Sequence, residues 1–317
     1  MKKEDLRIVY FGNPEYAVQP LRDLVESGYS VVGVVTNPDG VMRKGKKVSQ
    51  ETPVKTCAKS LGIQTILQPH SLMDPEFLKD LQKLGANLQV VVAFKILPDI
   101  IWGMPKFGTI NAHASLLPRF RGAAPIERAI MAGETKTGVT VFQLKHDVDT
   151  GDVIDSVGIE ITDTDDAGTI SLKLSELSGQ MIISALEELQ ENSKFTLLKQ
   201  GEEPDPKYRV APKIHLADRI IDWDQPTVKL WNFVRALNPA YGALTKISGK
   251  TVKILKVDPE EITKPDPTRP GTIATDKKTW LKFRTRDGYL AVKVLQVEGK
   301  KVMTIKEFLN GYARNLL

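Results

Sequence analysis

Cysteine is almost missing from this 317-residue chain: Cys57 stands alone, so no internal disulfide can form. The four histidines, His70, His113, His146 and His215, have no neighbouring thiols to build a zinc site with. Long apolar runs are missing too. Stretches such as Leu88 to Phe94 are strand-sized, far below the roughly 18 residues of a membrane span. The first residues, Met1-Lys2-Lys3-Glu4-Asp5, lead straight into apolar Ile8-Val9-Tyr10-Phe11, so no signal peptide is expected. With 41% hydrophobic and 26% charged residues, what remains is the composition of an ordinary globular protein. The expectation is a soluble, cytoplasmic chain without a metal or a membrane partner.

The length suggests about two domains. Short, β-branched apolar runs at Ile8–Phe11, Ser30–Thr36, Gln64–Leu67, Gln89–Phe94 and Thr109–His113 alternate with amphipathic stretches such as Tyr16–Ser27 and Pro75–Leu84. That alternation predicts a doubly wound, mostly parallel α/β sheet covered on both faces. Thr137–Leu144 and Val153–Ile161 read as two more strands, and Ala167–Gln190 as a long helix. A polar, proline-bearing break at Gly201-Glu-Glu-Pro-Asp-Pro206 places the domain boundary, giving domains 1–205 and 206–317. Beyond it, a helix at Thr227–Ala236 precedes short strands at Leu244–Ile247, Thr251–Val257, Thr272–Ala274, Trp280–Arg284 and Leu290–Glu298. Closely spaced strands with glycine turns predict a small β-barrel of the oligonucleotide-binding type.

Charge separates the same two parts. The net charge of +5 hides a balance of −6 over residues 1–205 and +11 over 206–317. A strongly basic back third suits a polyanion, with nucleic acid the leading candidate.

Two familiar phosphate motifs fail. The turn after the first strand, Phe11-Gly12-Asn13-Pro14-Glu15, lacks the second and third glycines of a dinucleotide fingerprint. Gly40-Val-Met-Arg-Lys-Gly45-Lys46 has the spacing of a nucleoside-triphosphate loop, yet Lys47 stands where a magnesium-binding hydroxyl belongs, and Val48–Pro53 reads as a poor helix start. What this loop does hold is Arg43, Lys44, Lys46 and Lys47, a phosphate-seeking arm in an otherwise acidic domain.

The chemically suggestive segment is Gly108-Thr-Ile-Asn111-Ala-His113-Ala-Ser115-Leu-Leu-Pro118. Asn111 and His113 lie two apart on a predicted strand, so their side chains leave the same face. An amide donor beside an imidazole suits gripping a carbonyl oxygen and moving a proton. A carboxylate would complete the set, with Asp147, Asp149 and Asp152 on the later turn as candidates.

The run Asn111-x-His113-x-Ser115-Leu116-Leu117-Pro118-x-x-Arg121-Gly122, followed by Asp149-x-Gly151-Asp152, resembles the formyltransferases that use 10-formyltetrahydrofolate, and among them the methionyl-tRNA formyltransferase family. The resemblance continues through Ala211-Pro212-Lys213, Ile221-Asp222-Trp223 and Arg235-Ala236-Leu237-Asn238-Pro239, and so covers essentially the whole chain. It implies a catalytic set of Asn111, His113 and Asp149. It implies a folate pocket from Phe94, Ile96, Leu97 and Pro98 with Ser115, Leu116, Leu117 and Pro118. It also implies initiator methionyl-tRNA as partner, met by Arg43, Lys44, Lys46 and Lys47 of the basic loop 37–53 and by Lys213 and Arg235. Lys44 stands where that family usually carries arginine. No obligate protein partner is implied. The same trio would serve a formyltransferase acting on a small amine such as an amino-sugar nucleotide, whose acceptor would not call for the basic back third. A non-catalytic RNA-binding protein on the same scaffold is the alternative from another class.

Overall fold

The computed structural model describes residues 2–41, 49–262 and 266–312. The strands of its first part are β1 (Arg7–Gly12), β2 (Ser30–Val35), β3 (Gly40–Val41), β4 (Ser49–Gln50), β5 (Ile66–Leu67), β6 (Leu88–Val92), β7 (Thr109–His113), β8 (Lys136–Gln143) and β9 (Val153–Glu160). Later come β10 (Ala243–Ile247), β11 (Lys250–Glu261), β12 (Ile273–Thr275), β13 (Leu281–Arg284), β14 (Gly288–Val297) and β15 (Val302–Thr304). The helices are α1 (Val18–Glu26), α2 (Pro53–Ser60), α3 (Pro75–Lys83), α4 (Asp99–Trp102), α5 (Pro125–Met131), α6 (Ala167–Asn192), α7 (Pro206–Arg209), α8 (Thr227–Leu237) and α9 (Ile305–Gly311). No helix among the described residues is long and apolar enough to cross a membrane.

Seven strands form one sheet in the order β5-β2-β1-β6-β7-β8-β9. Pairings β2–β5, β1–β2, β1–β6 and β6–β7 are parallel, and β7–β8 is antiparallel. The chain leaves β1 first to one side and then to the other, so the carboxyl ends of β1 and β6 border a topological switch point, where open α/β sheets place their ligands. Alternation along β1 serves both faces. Val9 and Phe11 pack with Phe77 and Leu81 of α3 and with Leu97 and Ile101. Tyr10 points the other way, its hydroxyl donating to the Ala17 carbonyl at 2.7 Å. α6 covers that second face. Ser178 shares a 2.7 Å hydrogen bond with the Tyr16 hydroxyl, and the Ser175 hydroxyl donates to the Tyr16 carbonyl at 2.7 Å.

The second sheet runs β10-β11-β14-β13-β12, with β15 on β14, and all its pairings are antiparallel. It curls as a half-barrel. Leu230, Val234 and Leu237 of α8 and Phe308 and Leu309 of α9 close its core against Val252, Ile254, Leu281, Phe283 and Leu295. Trp223 stacks on Phe283 with ring centroids 4.2 Å apart and gives its indole N–H to Thr245 at 3.0 Å. The helix at Pro53 departs from the sequence expectation. Thr52 caps it by accepting the Lys55 N–H, and Pro53 fills its first turn where no amide is needed.

Two compact units emerge: residues 1–122, 137–159 and 171–210, and residues 123–136, 160–170 and 211–317. The second unit therefore draws α5 and the approach to α6 from the earlier part of the chain. Inside it, the Arg128 guanidinium reaches the Pro212 carbonyl at 3.1 Å and Asp218 at 3.3 Å.

Candidate active site

Pleating puts Thr109, Asn111 and His113 on one face of β7. Thr109 is spoken for by structure: its hydroxyl donates to Gln89 at 2.9 Å or to the Trp102 carbonyl at 2.7 Å. The Asn111 amide is partly exposed, and its side chain makes no hydrogen bond among the described residues. It is a free donor near the carboxyl end of the strand. His113, the last residue of β7, is only 7% exposed.

The two ring nitrogens of His113 have different neighbours. Nε2 lies 3.0 Å from the Phe120 carbonyl oxygen. A carbonyl only accepts, so Nε2 carries hydrogen in either charge state, and Nδ1 is the nitrogen left to take or give a proton. Nδ1 faces Asp149 Oδ2 at 3.7 Å. That distance exceeds a direct hydrogen bond. The same oxygen is instead held by the Gly122 N–H, which donates to Oδ2 at 2.9 Å.

The three aspartates on this turn divide cleanly. Asp152 pairs with Lys145 at 2.6 Å. Asp147 turns its side chain to solvent, while its carbonyl accepts the Thr150 hydroxyl at 2.9 Å. Asp149 alone turns inward. Its backbone is left-handed, at φ 53°. Because β8 is antiparallel to β7, with Gln143 opposite Ile110, the chain leaves β8 beside the start of β7 and folds back to bring Asp149 to His113. Gly151 permits that return: a Cβ there would stand 1.8 Å from the Gln143 carbonyl oxygen.

The loops expected to bind folate lie at the carboxyl ends of β6 and β7. Ala93 turns the chain at φ 47°, and the Phe94 ring meets Phe11 edge-on, centroids 5.7 Å apart. Ile96 is 73% exposed, whereas Leu97 is buried in the core and Pro98 caps α4. Ser115 is wholly buried, its hydroxyl donating to the Arg119 carbonyl at 2.6 Å. Thr140 knits the turn to β8, with its hydroxyl donating to the Ser115 carbonyl at 2.8 Å and accepting the Leu117 N–H at 3.1 Å. Leu116 lies over Gly138 and Gly158, and Leu117–Pro118 is a cis peptide. Leu97 and Ser115 thus lie buried behind these loops, and Ile96 is presented outward.

Sequence reasoning passed over Phe120 and Gly122, whose backbone groups fix His113 and Asp149. The Arg121-Gly122 pair was the available signal. His146 is exposed; its own backbone carbonyl and the charges of Asp99 and Asp147 raise its imidazole above the usual range. Of the residues expected to meet tRNA, Arg43, Lys44, Lys46 and Lys47 lie outside the described residues. Lys213 is exposed. Arg235 is not a free cation: it donates to Asn232 at 2.8 Å and to the carbonyls of Thr162 and Asp165 at 2.9 and 3.0 Å, over the Trp231 ring.

Residues 6–186 match the formyl transferase family, and residues 213–313 match the formyl transferase C-terminal domain. The chain belongs to the formyl transferase family. Its relatives include a methionyl-tRNA formyltransferase of Bacteroides fragilis, 42% identical over 98% of this chain and 97% of that one. Another, from Parabacteroides distasonis, is 43% identical with the same coverage. Among solved structures, HypX from Aquifex aeolicus in complex with tetrahydrofolic acid has a TM-score of 0.66 at 21% identity, covering 96% of this chain and 48% of that one. The sugar 3N-formyl transferase WlaRD has a TM-score of 0.64 at 18% identity, covering 93% and 99%. These two likenesses concern the fold. Family membership makes this chain an enzyme of formyl transfer, with Asn111, His113 and Asp149 grouped in the part matched by the formyl transferase model.

Proposed function

We propose that the enzyme moves the formyl group of 10-formyltetrahydrofolate to the α-amino group of initiator methionyl-tRNA. The observation that carries this reading is identity above 40%, along nearly the full chain, to relatives named for that reaction. The His113–Asp149 pairing beside a free Asn111 amide supports it chemically.

In this reading residues 1–205 bind folate and catalyse, and residues 206–317 supply tRNA affinity. The amine attacks the formyl carbon, and the carbonyl oxygen gathers negative charge. Asn111 meets that oxygen, and a protonated His113 Nδ1 adds a second donor. As the bond from the formyl carbon to the folate N10 breaks, Nδ1 gives its proton to N10, and the amine proton, taken up by Asp149, restores it. Ile96 and the edges of Phe94, Leu116, Leu117 and Pro118 would cover the folate, while Leu97 and Ser115 hold those edges in place. Lys213 and the arm of Arg43, Lys44, Lys46 and Lys47 would meet phosphates; Arg235 braces the second unit.

The test is incubation of the full chain with 10-formyltetrahydrofolate and charged initiator tRNA, with free methionine and an amino-sugar nucleotide as competing acceptors. Formylmethionyl-tRNA is the expected product. Comparable kcat/KM on the sugar amine, or no transfer to any acceptor, would overturn the reading.

A further inference from the structure

Both proposed proton-handling groups hang from one short segment. Phe120 supplies the carbonyl that orients His113, and Gly122 supplies the N–H that holds Asp149. Residues 120–122 belong to no strand of the large sheet. Their own support comes from the segment 198–210, which ends the first unit. The Phe120 N–H donates to the Tyr208 carbonyl at 2.6 Å, and the Arg121 N–H donates to the Arg209 carbonyl at 3.2 Å. Arg121 and Val210 form a parallel bridge. The Phe120 ring meets Tyr208 edge-on, and the Arg119 guanidinium lies 4.2 Å over the Tyr208 ring while pairing with Glu203 at 3.2 Å. Phe120 sits at φ 59°, a backbone conformation that a phenylalanine keeps only where neighbours hold it.

The same segment grips the Asp149 turn. Leu198 and Val153 exchange two backbone hydrogen bonds of 2.8 Å. Gln200 then ties both loops together. Its Oε1 accepts from Arg121 Nε at 2.7 Å and from Arg121 Nη2, and its Nε2 donates to the Gly151 carbonyl at 3.0 Å. One amide thus spans the loop that orients His113 and the turn that carries Asp149. The Gly151 carbonyl is two residues from Asp149, and Arg121 immediately precedes Gly122.

We propose that residues 198–210 form a supporting wall of the catalytic site, with Gln200 a positioning residue that sets Asp149 against His113 Nδ1. The inference rests on the functional reading above. Gln200 acts only through Asp149 and its partner loop, so its loss should slow chemistry and leave substrate binding intact. A displacement of about 1 Å in a reacting constellation can cost about 10²-fold in rate. A merely structural glutamine would lower stability and leave the turnover of folded protein unchanged.

The experiment compares full-length wild type, Gln200→Leu, Gln200→Glu, Asp149→Asn and the Gln200→Leu/Asp149→Asn double variant, measuring kcat, both KM values and Tm. Gln200→Leu should lose about 10²-fold in kcat with both KM values within about twofold of wild type. The double variant should be no slower than Asp149→Asn alone, because residues acting as one unit are not additive. Gln200→Glu keeps the acceptor for Arg121 and loses the donor to Gly151, so it should fall only about tenfold, one hydrogen bond's worth. It carries the test if the leucine variant does not fold. Turnover within twofold of wild type in the folded Gln200 variants, or losses that multiply in the double variant, would overturn the proposal alone. Near-normal turnover of Asp149→Asn would overturn the assigned role of Asp149 together with it.

Discussion

At the scale of single residues, exposure and hydrogen bonding divide groups that the sequence presents as equals. Asn111 and His113 share a face of β7, yet one is an uncommitted donor and the other is anchored at Nε2. Removing Asn111 therefore strips a donor that no protein group competes for. Asn111→Ala should lower kcat by about 10²- to 10³-fold, the usual loss for one oxyanion donor. Its folate KM should stay near wild type, and steady-state kinetics on both substrates separate the two effects. Asp266 invites a different prediction. Hydrogen bonds from Thr268 and from the Tyr289 hydroxyl hold its carboxyl down at about 2. A carboxylate depressed below its unfolded value of about 3.9 stabilises the fold above that value and loses the contribution as pH falls through about 2. Between pH 4 and pH 2, the urea midpoint of wild type should fall more steeply than that of Asp266→Asn. Parallel profiles would remove Asp266 from the acid response.

Among the elements, legibility followed the strength of the local pattern. β1, β2, β6 and β7 stood out as apolar β-branched runs, and β10 to β14 as short alternations between glycine turns. Hydrophobic periodicity could not find α2, α5 or α9, which are only seven or eight residues long. The starts of α2 and α9 were written in capping chemistry. Thr52-Pro53 opens α2, although Val48–Pro53 reads as a poor helix start so soon after the basic loop. Thr304 and Glu307 form a reciprocal capping box on α9: Glu307 Oε2 accepts the Thr304 N–H at 2.7 Å, and the Thr304 hydroxyl oxygen accepts the Glu307 N–H at 3.4 Å. Thr304→Ala should cost about 1 kcal/mol in denaturant unfolding, the typical value of such a cap. An unchanged midpoint would mean that packing of Phe308 and Leu309 alone holds the helix. In the site, the shared face of Asn111 and His113 followed from strand periodicity. The loops that orient His113 and Asp149 did not, because the Phe120 carbonyl and the Gly122 N–H act through backbone atoms that any residue there would carry, marked only by the Arg121-Gly122 pair, and Gln200 lies about fifty residues from the glycine it holds.

For the molecule as a whole, the acidic front and basic back remain the feature that composition made plainest. Contact in space redraws the boundary, however. α5 packs against α8 inside the second unit, so a cut at residue 205 would strip α5 of its partner. Charge is therefore better tested on the intact chain than on a fragment. Lys213 and Arg235 both belong to the second unit, and their surroundings imply opposite outcomes. Lys213 is exposed, and a lysine that neutralises one phosphate adds about 1 to the slope of log affinity against log salt. Lys213→Ala should therefore flatten the salt dependence of tRNA binding by about 1. Arg235 bonds Asn232, Thr162 and Asp165, so Arg235→Ala should lower Tm and leave that slope unchanged. Binding titrations from 50 to 300 mM salt, run beside thermal melts, distinguish the two. A flattened slope for Arg235→Ala at unchanged Tm would make it a phosphate contact after all, its bonds within the unit giving way when RNA binds.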